Sequence, residues 1–201
     1  MESEATKKKK KINWKVIAII FICIIVVLIL TKYILKAFRI PLSGLKPSYT
    51  SAKGAAFTKS QEGLQNNAYQ DGTDANGNPV WAIGYGHHGN MLDGTPITPL
   101  SYVSNSDADA LFKQDLALVD AKLNSLITTN KIDQNAWDAL SDFEYNTEAL
   151  ATSQLLTYVN NNDFANAAAF LKLHYITSGN STNPLPGLVA RRAAEATEII
   201  S

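Results

Sequence analysis

Two carboxylates, Glu62 and Asp71, open a segment crowded with turn residues, EGLQNNAYQDGTDANGNPVWAIGYGHHG from Glu62 to Gly89. Cleaving a glycosidic bond needs one carboxyl group that keeps its proton for the leaving oxygen. It also needs an ionised carboxylate facing the other side of the sugar. The two groups work only in different surroundings. Glu62 lies between Phe57 and Leu64, apolar flanks that would shield it from water, whereas Asp71 lies in a polar turn. On residue type alone Asp74 serves as well as Asp71, and a carboxylate pair beside a turn is more often a solvated surface.

The elements that must hold these residues follow from periodicity. A short helical segment is expected to end near Leu64. Ala68–Tyr69 and Val80–Tyr85 read as two strands of a hairpin, with Asp71–Pro79 as its turn region and Asp71-Gly72 and Asn76-Gly77 as turn dipeptides. Beyond Pro99 the period becomes helical. Leu111/Phe112, Leu116, Val119, Leu123 and Leu126 recur at spacings of three and four, with Ser106 as the expected N-cap. Further helices are expected around Trp137, Leu140 and Phe143, over Thr152–Asn160, around Phe164–Leu171, and from Pro186 to the C-terminus. The fold class is α+β, a small β-hairpin lobe followed by a larger α-helical lobe.

Other chemistry is poorly supported. His87 and His88 are adjacent, so a strand would point them to opposite faces and make them a poor metal pair; His87 reads as a structural hydrogen-bonding residue. Gly84-x-Gly86 reads as a close-packing feature, since no helix follows to make it a phosphate loop. Trp81, Trp137 and Tyr145 are expected in the core, and Tyr85 and Asn146 in a substrate groove. No metal or cofactor is expected.

Residues 1–39 carry nine Lys/Arg and two Glu, whereas the remainder of the 201-residue chain carries nine Lys/Arg and sixteen Asp/Glu. Two parts with different roles are implied, and the acidic part offers no basic face for nucleic acid. Five lysines, Lys7 to Lys11, and Lys15 precede fifteen unbroken apolar residues, Val16–Leu30, extended through Leu35. As a helix, Val16–Leu35 would span about 30 Å, the hydrocarbon thickness. No small-residue cleavage site follows, and the one cysteine, Cys23, lacks the small residues of a lipoprotein signal. The expected organisation is a basic cytoplasmic tail (1–15), a single transmembrane helix (16–36), a Pro-, Gly- and Ser-rich linker (37–56) and a globular domain (57–201). The positive-inside bias puts the N-terminus in the cytoplasm and the domain outside the inner, plasma or viral internal membrane, on the cell-wall side.

Glu62-Gly63, Ala68-Tyr69-Gln70-Asp71 and Ala82-Ile83-Gly84-Tyr85-Gly86-His87 resemble the signature of the phage-type lysozymes, glycoside hydrolase family 24, which reads Glu-Gly, Ala-Tyr-x-Asp and Thr-Ile-Gly-Tyr-Gly-His. The likeness continues through Ala139–Asn146, Ser153–Leu156 and Leu185–Arg192 to Glu195. It implies a lysozyme-like two-lobed domain that hydrolyses the β-1,4 bond between N-acetylmuramic acid and N-acetylglucosamine in peptidoglycan glycan strands. By position, Glu62 is the general acid. Asp71 holds or activates the attacking water, or stabilises the cationic transition state. Arg191 resembles a basic residue that pairs with the acid. The family usually has Thr where this chain has Ala82, and that hydroxyl helps place the water. The longer turn, with Thr73, Asn76 and Asn78, is a possible substitute. Two other readings stay open: a catalytically impaired wall-binding or virion structural module, and a lytic transglycosylase, which needs the Glu but not the Asp.

Overall fold

The computed structural model describes Ile25, residues 45–179 and residues 181–201. The expected tail (1–15), the expected transmembrane helix (16–36) apart from Ile25, and the expected linker as far as residue 44 lie outside the described residues. Among the described residues, no helix is long and apolar enough to cross a membrane.

Helix α1 (Ala52–Glu62) begins where the Ser51 side chain accepts from the Gly54 N–H and stops at Gly63, whose φ of +70° leaves the helical region. Strands β1 (Gln65–Thr73), β2 (Pro79–Gly84) and β3 (His87–His88) follow as one antiparallel sheet in that order. Then come α2 (Asn105–Leu126), α3 (Gln134–Thr147), a 3₁₀ turn (Leu150–Thr152), α4 (Gln154–Asn160), α5 (Phe164–Leu173) and α6 (Pro186–Ile199). The α+β class and the order of elements match the sequence reading. The N-cap of α2 is Ser104, not Ser106: its side chain accepts from the Asp107 N–H.

The lobes have separate cores. Ile83, Ile97, Val103, Ala108 and Leu111 pack under the sheet. The larger core is built around Trp137, Leu140 and Phe143 of α3, with Leu123, Leu155, Leu171 and Ala196 among its neighbours. Helix α2 supplies Leu111 to the first and Leu123 to the second. At 22 residues it is about 33 Å long, enough to run from one lobe into the other.

The domain starts earlier than expected. Residues 46–56 are not a linker. Lys46 Nζ donates to the Asn124 and Ile127 carbonyls, the Thr50 hydroxyl donates 2.7 Å to Asp120, and the Ser51 N–H donates 2.8 Å to Asp138. Helix α3 explains why this segment is held. It is buried from Ala136 to Glu144, so its polar side chains need partners. Asp138 takes Ser51 and Gln134, the Ser141 hydroxyl donates to the Thr50 oxygen, and Glu144 takes Lys122 and the Leu150 N–H.

The sheet lobe is fastened to α2 through His87. Its Nδ1 lies 2.9 Å from both Asp115 carboxylate oxygens and its Nε2 lies 2.8 Å from the Asn90 carbonyl. Both ring nitrogens therefore face acceptors. The Asp115 hydrogen bond outweighs burial and raises the His87 pKa above its ordinary value of 6.5.

Two predictions follow from this packing. A Cβ added at Gly54 would sit 2.5 Å from Asp138 Cγ. Gly54→Ala is therefore expected to destabilise the domain by about 1–3 kcal/mol, despite alanine's higher helix propensity; denaturant unfolding tests this. For His87, the raised pKa means a stability contribution fully present below about pH 6.5 and lost as pH climbs through the higher folded value. The stability gap between wild type and His87→Gln, read by unfolding at a series of pH values, is expected to be widest near pH 5–6 and to narrow above it. A gap that widens with rising pH contradicts the assignment.

Candidate active site

A groove of about 630 Å³ opens beside the sheet, lined by Glu62, Tyr69, Asp71, His88, Tyr145 and Asn146 among others. Glu62 is the last residue of α1, and the turn at Gly63 leaves its side chain in the groove, about 20% exposed. The apolar shield expected from the sequence is absent. Leu64 packs against the small core, and Phe57 lines a separate cleft beside Lys53 and Glu198. What closes over Glu62 is Arg191 of α6, whose Nη1 lies 2.7 Å from Oε1 in an ion pair without the alignment of a good hydrogen bond. Gly86, at φ +85°, leaves the other oxygen open; a Cβ there would stand 3.8 Å from Oε2.

Arg191 is itself buried and fixed. Its Nε and Nη2 each donate 2.8 Å to Asp142 of α3, a bidentate pair. Burial, the largest single influence, pushes the Asp142 carboxyl up, but the hydrogen bonds from Arg191 and Glu195 and the Arg191 charge together hold it below the usual carboxylate range. Next in the chain, Arg192 donates to Glu195, and its Nη2 lies 3.2 Å from the Asn146 side-chain oxygen. Burial raises the Glu195 pKa well above the ordinary value.

Asp71 occupies the opposite kind of setting. It is half exposed, on the stretch of β1 between Gln70 and Thr73 where the register against β2 slips. Such irregularities re-aim side chains. His88 Nε2 donates 2.9 Å to Asp71 Oδ2. Asp74, equal to Asp71 on sequence grounds, is spent on the turn. It accepts the Asn76 and Asn78 N–H groups at 2.8 Å and the Asn78 side chain at 3.0 Å. That leaves Asp71 as the carboxylate of the β wall. Asn76 and Asn78 are held in the same turn and Thr73 lies at the strand end; none of the three lines the groove. The longer turn therefore supplies no substitute for a hydroxyl at position 82.

Ala82 is fully buried in β2. Tyr85 departs from expectation: its ring packs 5.5 Å from that of Phe112 and under Lys59, not in the groove. Tyr145, expected in the core, lines the groove instead. Its hydroxyl donates 2.8 Å to the Tyr85 carbonyl; burial, then the charges of Asp115 and Glu62, push its pKa far up, so it stays a donor. Trp137 is in the core as expected. Asn146 reaches the groove, Arg191 reaches Glu62, and His87 stands behind the sheet against Asp115. Sequence reasoning missed Asp142 and Glu195 as partners of the arginines. A charge interrupting the apolar run Trp137, Leu140, Phe143 was the available signal. It also missed His88. Among the described residues, no three His, Cys, Asp or Glu side chains converge on one point as metal ligands would.

The arrangement brings two carboxyl groups into one groove, one anchored by a buried cation on the helical wall and one half exposed on the β wall, the pair of carboxyls that glycoside cleavage uses. Comparison with known proteins agrees. Residues 59–195 match the phage lysozyme family. The chain is 35% identical over 150 residues to an endolysin of Acyrthosiphon pisum secondary endosymbiont phage 1, covering 73% of this chain and 94% of that protein. The fold is similar to the muramidase domain of SpmX from Asticaccaulis excentricus (TM-score 0.63, 32% identity, 75% of this chain and 97% of that one). It is also similar to a mutant P22 lysozyme (TM-score 0.62, 26% identity, 76% and 99%). The chain belongs to the phage lysozyme family and is a glycoside hydrolase of the lysozyme type.

Proposed function

We propose that the protein is a muramidase that hydrolyses the β-1,4 bond between N-acetylmuramic acid and N-acetylglucosamine in peptidoglycan, as expected of a glycoside hydrolase family 24 enzyme. The observation that carries the assignment is the placing of Glu62 and Asp71 in one groove, Glu62 fixed by Arg191 and Asp71 half exposed on the β wall. Glu62 gives its proton to the leaving oxygen through Oε2, the oxygen Arg191 does not hold. Arg191 fixes the carboxyl so that its approach to the bond is set before substrate arrives. Asp71 holds or activates the attacking water, or stabilises the positive charge that develops on the sugar. Tyr145 and Asn146 contribute surface along the glycan's path.

The same proposal places the enzyme on a membrane. The support is in the sequence alone: six lysines, then an apolar run from Val16 of the length a bilayer needs. With the domain held from Lys46 onward, the tether shortens to residues 37–45. Nine residues span at most about 30 Å in any conformation, so the enzyme would work on wall close to its membrane.

Glu62→Gln tests the chemistry. The amide is nearly isosteric but has no proton to give, so release of reducing ends from purified peptidoglycan is expected to fall by at least about 10²-fold with unfolding temperature little changed. Retention of more than about a tenth of the wild-type rate contradicts the assignment. Products ending in 1,6-anhydro sugars would instead mark a transglycosylase, and no released sugar a wall-binding module. For the anchor, full-length protein is expected to stay in the membrane pellet after a carbonate wash, and its appearance in the soluble fraction rules out a fixed span.

A further inference from the structure

The antiparallel register places Tyr69 of β1 opposite Ala82 of β2, and Ala82 opposite His88 of β3. Residues directly opposite one another in antiparallel strands project from the same face. Tyr69 and His88 both line the groove, so Ala82 stands between them on the groove side, fully buried at the foot of the β wall. This is where the resemblance to the lysozyme signature leads one to expect a hydroxyl. A methyl group can neither donate nor accept, and the turn residues that could have replaced the hydroxyl are tied up elsewhere.

One side chain on this face does reach the carboxylate. His88 Nε2 lies 2.9 Å from Asp71 Oδ2. A carboxylate oxygen only accepts, so the ring nitrogen donates. Asp71 needs such a partner because it sits where the register of β1 slips, half exposed, and no other side-chain hydrogen bond to it is found among the described residues. His87, one position earlier, points through the sheet to Asp115 and cannot take the task.

We propose that His88 is the positioning residue for Asp71: from β3 it aligns the carboxylate, and through it the attacking water, compensating for the hydroxyl missing at Ala82. The inference rests on the hydrolytic role proposed for Asp71. His88 touches no reacting atom. It removes the rotational freedom of a half-exposed carboxylate, and misplacement of a reacting group by about 1 Å is enough to lower a rate by about 10²-fold.

The test uses the full-length chain and measures reducing-end release from purified peptidoglycan at several substrate concentrations, with thermal unfolding as a check on folding. His88→Leu fills similar space without a donor and is expected to lower kcat about ten- to hundredfold with KM within about twofold. His88→Gln carries an N–H near the position of Nε2 and is expected to recover most of that loss. Ala82→Thr added to His88→Leu is expected to recover activity as well, because it restores the hydroxyl on the same face. A kcat for His88→Leu within about twofold of wild type overturns the proposal. So does a loss confined to KM, or a failure of both the glutamine and the added threonine to restore the rate. Wild type and Glu62→Gln are run alongside. An inactive wild type overturns the muramidase reading and this one together, whereas an active wild type, a dead Glu62→Gln and an unaffected His88→Leu overturn this one alone.

Discussion

A guanidinium group buried between two carboxyl groups from different parts of the chain is the constraint on which the site depends. Arg191 comes from α6, Asp142 from α3, and Glu62 from the end of α1. Taking a guanidinium out of water is costly, and only a well-aligned partner offsets the cost. Asp142 provides one in bidentate form, and that pair locks α6 against α3. Once locked, the remaining Nη1 has a fixed position, and Glu62 is held against it. The acid is thus positioned by residues about 80 and 130 places further along the chain. The neighbouring Arg192 and Glu195 extend the cluster. Burial pushes the Glu195 carboxyl well up, whereas Asp142, held by Arg191, is lowered, so the two neighbouring carboxyls are driven apart in their hold on a proton.

The two walls of the groove are held by different means. The helical wall is set by buried, charge-assisted contacts. The β wall belongs to a small sheet whose connections to the rest are few but specific. The Tyr145 hydroxyl reaches the Tyr85 carbonyl, His87 reaches Asp115, and the core residues of β2 pack on the start of α2. Because α2 enters both cores, a shift of the sheet relative to Glu62 would disturb packing at Leu111 and Phe112, where interiors tolerate little change. The separation of the two carboxyl groups is therefore a property of packing, while the fine aim of Asp71 is left to contacts at the surface.

Much of this was legible in the sequence. Period-3.6 apolar patterning located the helices, the Asn-Gly and Asp-Gly dipeptides located the hairpin, and the Glu62 and Asp71 spacing together with the family signature located the groove. Strand alternation also predicted that His87 and His88 would face opposite ways. The misses share one cause. Residues 46–51 have the Pro- and Ser-rich composition of a linker, and nothing local shows that Thr50 and Ser51 answer Asp120, Ser141 and Asp138 some 70 to 90 positions later. In the same way, Tyr145 reads as a core aromatic until its hydroxyl is seen to bridge the lobes at the groove. Asp74 and Asp71 are indistinguishable until the turn hydrogen bonds claim one of them.

Distribution of the site between α1 and α6 couples chemistry to the integrity of the whole domain. Helix α6 has no side-chain N-cap hydrogen bond, and the described residues before it, 174–179 and 181–185, form no helix or strand. What holds it is the burial of Ala196 and Ile199 in the large core, together with the Arg191 and Arg192 contacts. Local opening of such an element would strip Arg191 from Glu62 while leaving the sheet and α2 in place. The acid would then be free to rotate before the domain lost its fold. Because Asp142 would be left buried without its cation, the opened state is itself disfavoured. The pair that positions the acid therefore also resists the motion that would release it.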